Sequence, residues 1–199
     1  MACSTLKLAL QQAELDDPGY VPPISVHDHD SSPLLTGERL AGQDLEPLAG
    51  RFVFSFVRNP YERLRSVYLN KIVRAQKQGQ FRVQAGFAQG DCPDFEAFVH
   101  AVCAQPPQEQ NAHWRLQALN LSVGRIRYDL IGRLETFEAD WARLTRRFAL
   151  PRAPAFAGKR TKAAEKTQLT FSPAMAQAIQ AAYAPDFETF GYDVTPPSG

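Results

Sequence analysis

The sequence predicts an α/β domain in which a mostly parallel central sheet is flanked by helices. Two observations predict it. Short apolar runs rich in aromatic and β-branched residues, Arg51–Val57 and Ile126–Ile131, alternate with longer stretches of helical periodicity. The first run then passes straight into Asn59-Pro60 and a helical stripe, as a strand buried on both faces does in a parallel sheet. The 199 residues suit one domain, 1–199, with a sizeable core.

Composition narrows the class. At 44 % hydrophobic residues the chain is globular rather than disordered. Its 22 basic and 21 acidic residues give a net charge of +1, which predicts no nucleic-acid partner. Any anion site must therefore be local. Cys3, Cys92 and Cys103 are odd in number and fit neither a zinc site nor a disulfide framework. A reducing compartment is expected from the cysteines, and the Ala-, Arg- and Gln-rich composition and compact size add the expectation of a cytoplasmic location. No apolar run reaches the roughly 18 residues of a membrane span, and no basic-then-apolar leader precedes the first helix.

The elements follow in order. Ser4 is placed to cap a helix through Leu6, Ala9, Leu10 and Ala13, which Asp16-Asp17-Pro18-Gly19 stops. A polar loop holds His27-Asp28-His29-Asp30, and a short helix is expected near Thr36–Ala41. After Arg51–Val57, a helix opening at Asn59-Pro60 buries Tyr61, Leu64, Tyr68 and Ile72. Gln76–Pro93, rich in Gln and Gly, reads as a surface excursion. Asp94 caps a helix facing inward with Phe95, Phe98, Val99 and Val102. Gln105–Gln110 is a linker, and Asn111–Leu121 is expected to be helical. The second strand leads to a helix capped by Thr136, with Phe137, Trp141, Leu144 and Phe148 as its core face. Leu150–Lys166 is basic and irregular. Ser172-Pro173 opens a last helix through Met175, Ile179 and Tyr183, and 194–199 is expected to fray.

The strand–turn–helix at Arg51–Lys71 carries the most specific chemistry. Ligands of an open parallel sheet bind beyond the carboxyl ends of its strands, and Arg58 stands at such an end. The following helix turns its positive end the same way. A guanidinium fork matches a phosphate in bidentate fashion. Ser66, eight residues on, lies about two helical turns away and could donate to the same anion. A structural ion pair for Arg58 and a surface position for Ser66 are the plainer alternative.

The segment FSFVRNPYERLRSVYLNK resembles the 3′-phosphate motif of membrane-type carbohydrate sulfotransferases. That group includes chondroitin 4-O- and heparan sulfate 2-O-sulfotransferases and their bacterial relatives. Other segments resemble the family's in the expected order. They are Ala2-Cys3-Ser4-Thr5-Leu6-Lys7, Asn111-Ala112-His113-Trp114-Arg115-Leu116-Gln117, Tyr128-Asp129-Leu130-Ile131-Gly132-Arg133-Leu134-Glu135 and Tyr183-x-x-Asp186. The resemblance implies a P-loop-like three-layer fold and sulfuryl transfer from 3′-phosphoadenosine 5′-phosphosulfate (PAPS) to a carbohydrate hydroxyl, without metal. Arg58 and Ser66 would hold the 3′-phosphate, and Cys3, Ser4 and Thr5 the 5′-phosphosulfate, though Ser and Thr there also suit an ordinary helix cap. Animal members are anchored Golgi proteins, so membrane association would come only through a missing N-terminal segment. The composition looks bacterial.

The pattern also departs from the family. A strand and a Pro-Lys pair usually precede the donor loop, the lysine serving the leaving group; neither is present here, and Lys7 does not occupy that position. A truncated start and a degenerate, non-catalytic nucleotide- or glycan-binding relative both remain open. His27 and His29 are candidates for the base that deprotonates the acceptor. A solvated loop or a metal site are the alternatives there, and Glu62 and Glu135 are rival bases. His113 and Trp114 are candidates for the substrate cleft, or else core residues. Lys159 and Arg160 are candidates for closing over the nucleotide, or else solvated charges. No G-x-x-x-x-G-K-[ST] loop is present, which argues against a nucleotide kinase.

Overall fold

A computed structural model describes residues 2–28, 30–34, 50–73, 78–148 and 169–197. In chain order the elements are α1 (Ala2–Glu14), β1 (Phe54–Val57), α2 (Pro60–Val67), α3 (Gln78–Gln84), α4 (Phe95–Cys103), α5 (Gln117–Asn120), β2 (Leu130–Arg133), α6 (Phe137–Phe148), α7 (Pro173–Ala182) and α8 (Ala184–Phe190). The described residues group into two compact units. One is drawn from 1–56 and 128–159, the other from 57–127 and 160–199.

The first unit holds α1, α6 and the small parallel sheet of β1 and β2. Its core is Ala9, Leu130, Phe137, Trp141 and Leu144, with Phe52, Phe54 and Phe56 packed on it. Phe137, Trp141 and Leu144 recur at helical spacing, which turns one face of α6 inward. Phe148, expected on that face, is exposed but lays its ring 4.9 Å from that of Phe52. Both strands are shorter than their apolar runs. Asp129 starts the pairing: its carboxylate accepts from the Val53 N–H at 2.8 Å, and its own N–H donates to the Val53 carbonyl. The second strand therefore begins at Leu130 and not near Ile126.

Gly132 has a packing reason. A Cβ there would lie 2.6 Å from Cε1 of Phe56. Gly132→Ala is expected to destabilise the fold by about 1–3 kcal/mol through overpacking. Urea unfolding checks this, and an unshifted midpoint would contradict the packing.

In the second unit, Phe95, Phe98, Val99 and Val102 of α4 share a core with Met175, Ala176 and Ile179 of α7. Tyr61 and Leu64 from α2, and Tyr183 and Phe187 at α8, complete it. Three expected starts are present. The Asn59 side chain accepts from the Tyr61 N–H, Asp94 from the Ala97 N–H and Ser172 from the Met175 N–H. Pro60 and Pro173 each take a first-turn position, where the missing N–H costs nothing.

Several expectations need correcting. Helix α1 begins at Ala2, so Cys3, Ser4 and Thr5 lie in its first turn and Ser4 is not its cap. The stretch read as a surface excursion contains α3, whose Arg82 is buried with its guanidinium donating to the Ile72 carbonyl at 3.2 Å. Asn111–Leu121 is mostly turns, with only α5 helical. The last helix divides at Tyr183 into α7 and α8, and Gly191 closes α8 at φ 62°, a left-handed cap that suits glycine. The helix expected near Thr36–Ala41 lies outside the described residues, as do Lys159, Arg160 and His29. Among the described residues, no helix is long and apolar enough to cross a membrane.

Candidate functional site

The second unit places Arg58 one residue beyond β1, just ahead of α2. Its backbone is clamped by one side chain. The Arg58 N–H donates to Gln117 Oε1 at 2.9 Å, and Gln117 Nε2 donates to the Arg58 carbonyl at 2.8 Å. A glutamine amide thus serves this residue as a neighbouring strand would. The Arg58 N–H can only donate, which fixes the orientation of the amide.

Gln117 is fixed in turn by Asp186. The Asp186 carboxylate is fully buried. It accepts from the Gln117 N–H at 2.8 Å, the Ala118 N–H at 2.9 Å and Gln117 Nε2 at 3.3 Å. Two of these donors are backbone groups that open α5 and have no intrahelical partner. Buried charge is tolerable here because hydrogen bonds replace water.

With its main chain held, the Arg58 side chain is 32 % exposed, and Nη2 lies 3.5 Å from Glu62 Oε2. That contact is longer than the roughly 2.7–2.9 Å of a strong charge-assisted bond. Glu62 bonds better to Arg65, at 2.7 Å, while the Arg65 guanidinium also donates to the Leu169 carbonyl and stacks over Phe171. Glu62 therefore reads as an orienting carboxylate between two arginines, not as a base. Ser66 stands in the last turn of α2. Its carbonyl and hydroxyl both accept from Asn70 Nδ2, at 2.8 and 3.3 Å, which leaves the hydroxyl proton able to donate. The helix then widens into a π-helical turn, Tyr68–Val73, which carries Lys71.

The loop before Gln117 is pinned from several sides. Arg63 of α2 donates to the Arg115 carbonyl at 2.6 Å and to the Ala112 carbonyl at 2.9 Å. The Tyr183 hydroxyl donates to the Trp114 carbonyl at 2.6 Å; burial, and next Cys103, push the phenol pKa up, so it stays a donor. Trp114 is fully buried, edge-on to Phe98, and its indole N–H donates to Gln105 Oε1 at 2.9 Å. It belongs to the core and presents no face to a ligand, which corrects its expected place in the cleft.

His113 is exposed at the tip of the same loop. Its N–H and its ring Nδ1 both meet Asn111 Oδ1, at 2.9 and 2.6 Å. Its ring stands edge-on to Phe81, 5.2 Å away, and Lys71 Nζ lies over that same Phe81 ring at 4.8 Å. Partial burial first, then Lys71 and Arg63, push the imidazole pKa down to about 4. The ring is neutral at physiological pH.

Other expected site residues belong to the first unit. Cys3, Ser4 and Thr5 bring the first-turn N–H groups of α1 in the first unit, where helical donors have no intrahelical acceptor. His27 is exposed in that unit, with its N–H donating to Ser25 Oγ at 3.2 Å. Cys103 is free and packed, and burial pushes its thiol up to about 12, so it is no nucleophile. Among the described residues, no group of three or more His, Cys, Asp or Glu could hold a metal ion.

Gln117 and Asp186 are what residue-by-residue reading missed. Both lay in segments picked out for resemblance, without a role. The only signal was that both segments, 69 residues apart, carry a weak resemblance to one family.

Comparison with known proteins adds the remaining facts. The model of the Sulfotransferase family matches residues 41–193. Human carbohydrate sulfotransferase 14 is 28 % identical over 158 residues, covering 71 % of this chain and 42 % of its own length. Rat carbohydrate sulfotransferase 11 is 33 % identical over 106 residues, covering 44 % and 30 %. Xenopus laevis carbohydrate sulfotransferase 12 is 26 % identical over 166 residues, covering 70 % and 39 %. The chain thus spans less than half the length of these relatives. No solved structure matches.

Proposed function

The chain belongs to the sulfotransferase family, among its carbohydrate sulfotransferases, and we propose that it transfers a sulfuryl group from PAPS to a carbohydrate hydroxyl. The observation that carries this reading is Arg58: its backbone is immobilised by the Gln117 amide at the end of β1, and its guanidinium stays partly exposed, 3.5 Å from Glu62. Such an arrangement suits an anion that arrives from solution, because a held main chain presents the fork in a fixed place beyond the strand.

Arg58 would hold the donor's 3′-phosphate through its fork, with Ser66 donating from α2. Cys3, Ser4 and Thr5 remain the residues proposed for the 5′-phosphosulfate, through first-turn N–H groups. Lys159 and Arg160 keep their proposed nucleotide contact, and His27 and His29 are carried as the candidates for deprotonation that the sequence offered. PAPS supplies the activated sulfuryl group. The proposal extends to one P-loop-like, three-layer domain over 1–199.

Isothermal titration with adenosine 3′,5′-bisphosphate tests the reading. Saturable binding is expected, weakened roughly 3- to 10-fold by Ser66→Ala, the worth of about one hydrogen bond. A folded protein that does not bind this nucleotide overturns it.

A further inference from the structure

We propose that His113, through Nε2, is the group that takes the proton from the acceptor hydroxyl. The proposal rests on the sulfotransferase reading above and deepens it, with His113 in place of His27 and His29 as the base.

The argument begins with the tautomer. The His113 backbone N–H donates to Asn111 Oδ1 at 2.9 Å. A backbone donor requires an oxygen at that point, so the Asn111 amide cannot be reversed. Its other end agrees, since Asn111 Nδ2 donates to Gln84 Oε1 at 2.6 Å. The ring Nδ1, 2.6 Å from the same oxygen, must then carry a hydrogen. In a neutral imidazole this leaves the lone pair on Nε2. An Asx-type turn two residues long thus prepares the ring as a base with a defined atom.

Placement is the second part. Arg63, on the same helix as Ser66, braces the carbonyls on either side of His113. Gln117, at the end of the same loop, grips Arg58. The ring is therefore tied by two routes to the elements that carry the phosphate residues. Phe81 fixes its edge, and the residue is exposed.

Charge is the third. The charged groups acting on the ring from α2 and the π-helical turn are Arg63 and Lys71, both cations. Partial burial first, and these cations next, keep the ring unprotonated but weak as a base. A bound polyanionic nucleotide offsets the cations and raises the basicity. The base therefore strengthens when the donor is bound, near the operating pH where a general base works best.

In the step itself, the acceptor oxygen bonds to sulfur as its proton passes to Nε2. The bond from sulfur to the 5′-phosphate oxygen breaks, and the electron pair leaves on adenosine 3′,5′-bisphosphate. The imidazolium then releases the proton to water.

Nitrogen-15 NMR of the histidine rings in the full chain tests the tautomer, with His113→Asn identifying the signal. An unprotonated Nε2 at neutral pH is expected, with a titration midpoint that rises when adenosine 3′,5′-bisphosphate binds. A protonated Nε2 at neutral pH, or a midpoint that does not move, overturns the proposal even where no acceptor is sulfated. With labelled PAPS and unsulfated chondroitin or dextran as acceptor probes, His113→Asn and His113→Ala should lower kcat by about 10²–10⁴-fold and leave bisphosphate affinity unchanged. Bisphosphate binding with kcat retained in both variants, or lost instead in His27→Asn or His29→Asn, sinks this inference alone. Absent bisphosphate binding sinks the sulfotransferase reading as well.

Discussion

Arg58→Ala is expected to weaken adenosine 3′,5′-bisphosphate binding by about 2–4 kcal/mol, roughly 30- to 700-fold, while lowering stability much less. The two effects separate because the structure divides the residue's tasks. The main chain is held by Gln117, which alanine leaves intact. The side chain's contact with Glu62 is a partly exposed i,i+4 pair at 3.5 Å, worth on the order of 0.5 kcal/mol. What alanine removes is the fork that a phosphate would use. Arg58→Lys should fall between, since it keeps the charge and loses the bidentate geometry. Titration calorimetry beside thermal melting checks both halves. Affinity unchanged by Arg58→Ala would end the phosphate assignment; a collapsed melt would make Arg58 a structural ion-pair residue.

Legibility in the sequence followed the range of the interactions. Asn59, Asp94 and Ser172 were readable as helix starts because each cap bonds a donor two or three residues away. The core faces of α4, α6 and α7 were readable because periodicity is local. Arg58 and Ser66 were readable as candidates because strand, turn and helix adjoin. The limits appear where distant residues decide. Helix α3 has too little apolar pattern to announce itself, and its buried Arg82 is settled by a bond to the Ile72 carbonyl. The loop Asn111–Leu116 carries helix-forming residues but is held open by Arg63 and Tyr183, from 49 to 69 residues away. Trp114 is as good a stacking surface as a core residue until Phe98 and Tyr183 are seen around it. The tautomer of His113 needs only a neighbour two residues back, yet its meaning depends on Lys71 and Phe81.

Asp186→Ala is expected to cost about 3–5 kcal/mol, because it strands two backbone donors at once in a buried place and frees one end of the Gln117 amide. The Gln117 N–H and the Ala118 N–H lose their acceptor, and Gln117 Nε2 keeps only the Arg58 carbonyl. Against a total stability of roughly 5–15 kcal/mol, that brings the second unit close to unfolding. Asp186→Asn should be little better, since its Nδ2 would face N–H groups. Gln117→Ala is the informative companion. It leaves Asp186 two backbone donors and removes the clamp on Arg58, so stability should fall less, by about 2–3 kcal/mol, while nucleotide affinity falls with it. In the Arg58→Ala background, Gln117→Ala should cost no further affinity, because the clamp acts through Arg58; additive losses would show that it does not. Urea unfolding and nucleotide titration on the same proteins decide between these outcomes. A loss below about 1 kcal/mol for Asp186→Ala would mean that water reaches the carboxylate. Coupled losses would give Tyr183-x-x-Asp186 and the His113–Gln117 segment one physical meaning, a buried scaffold that aims the arginine beyond β1.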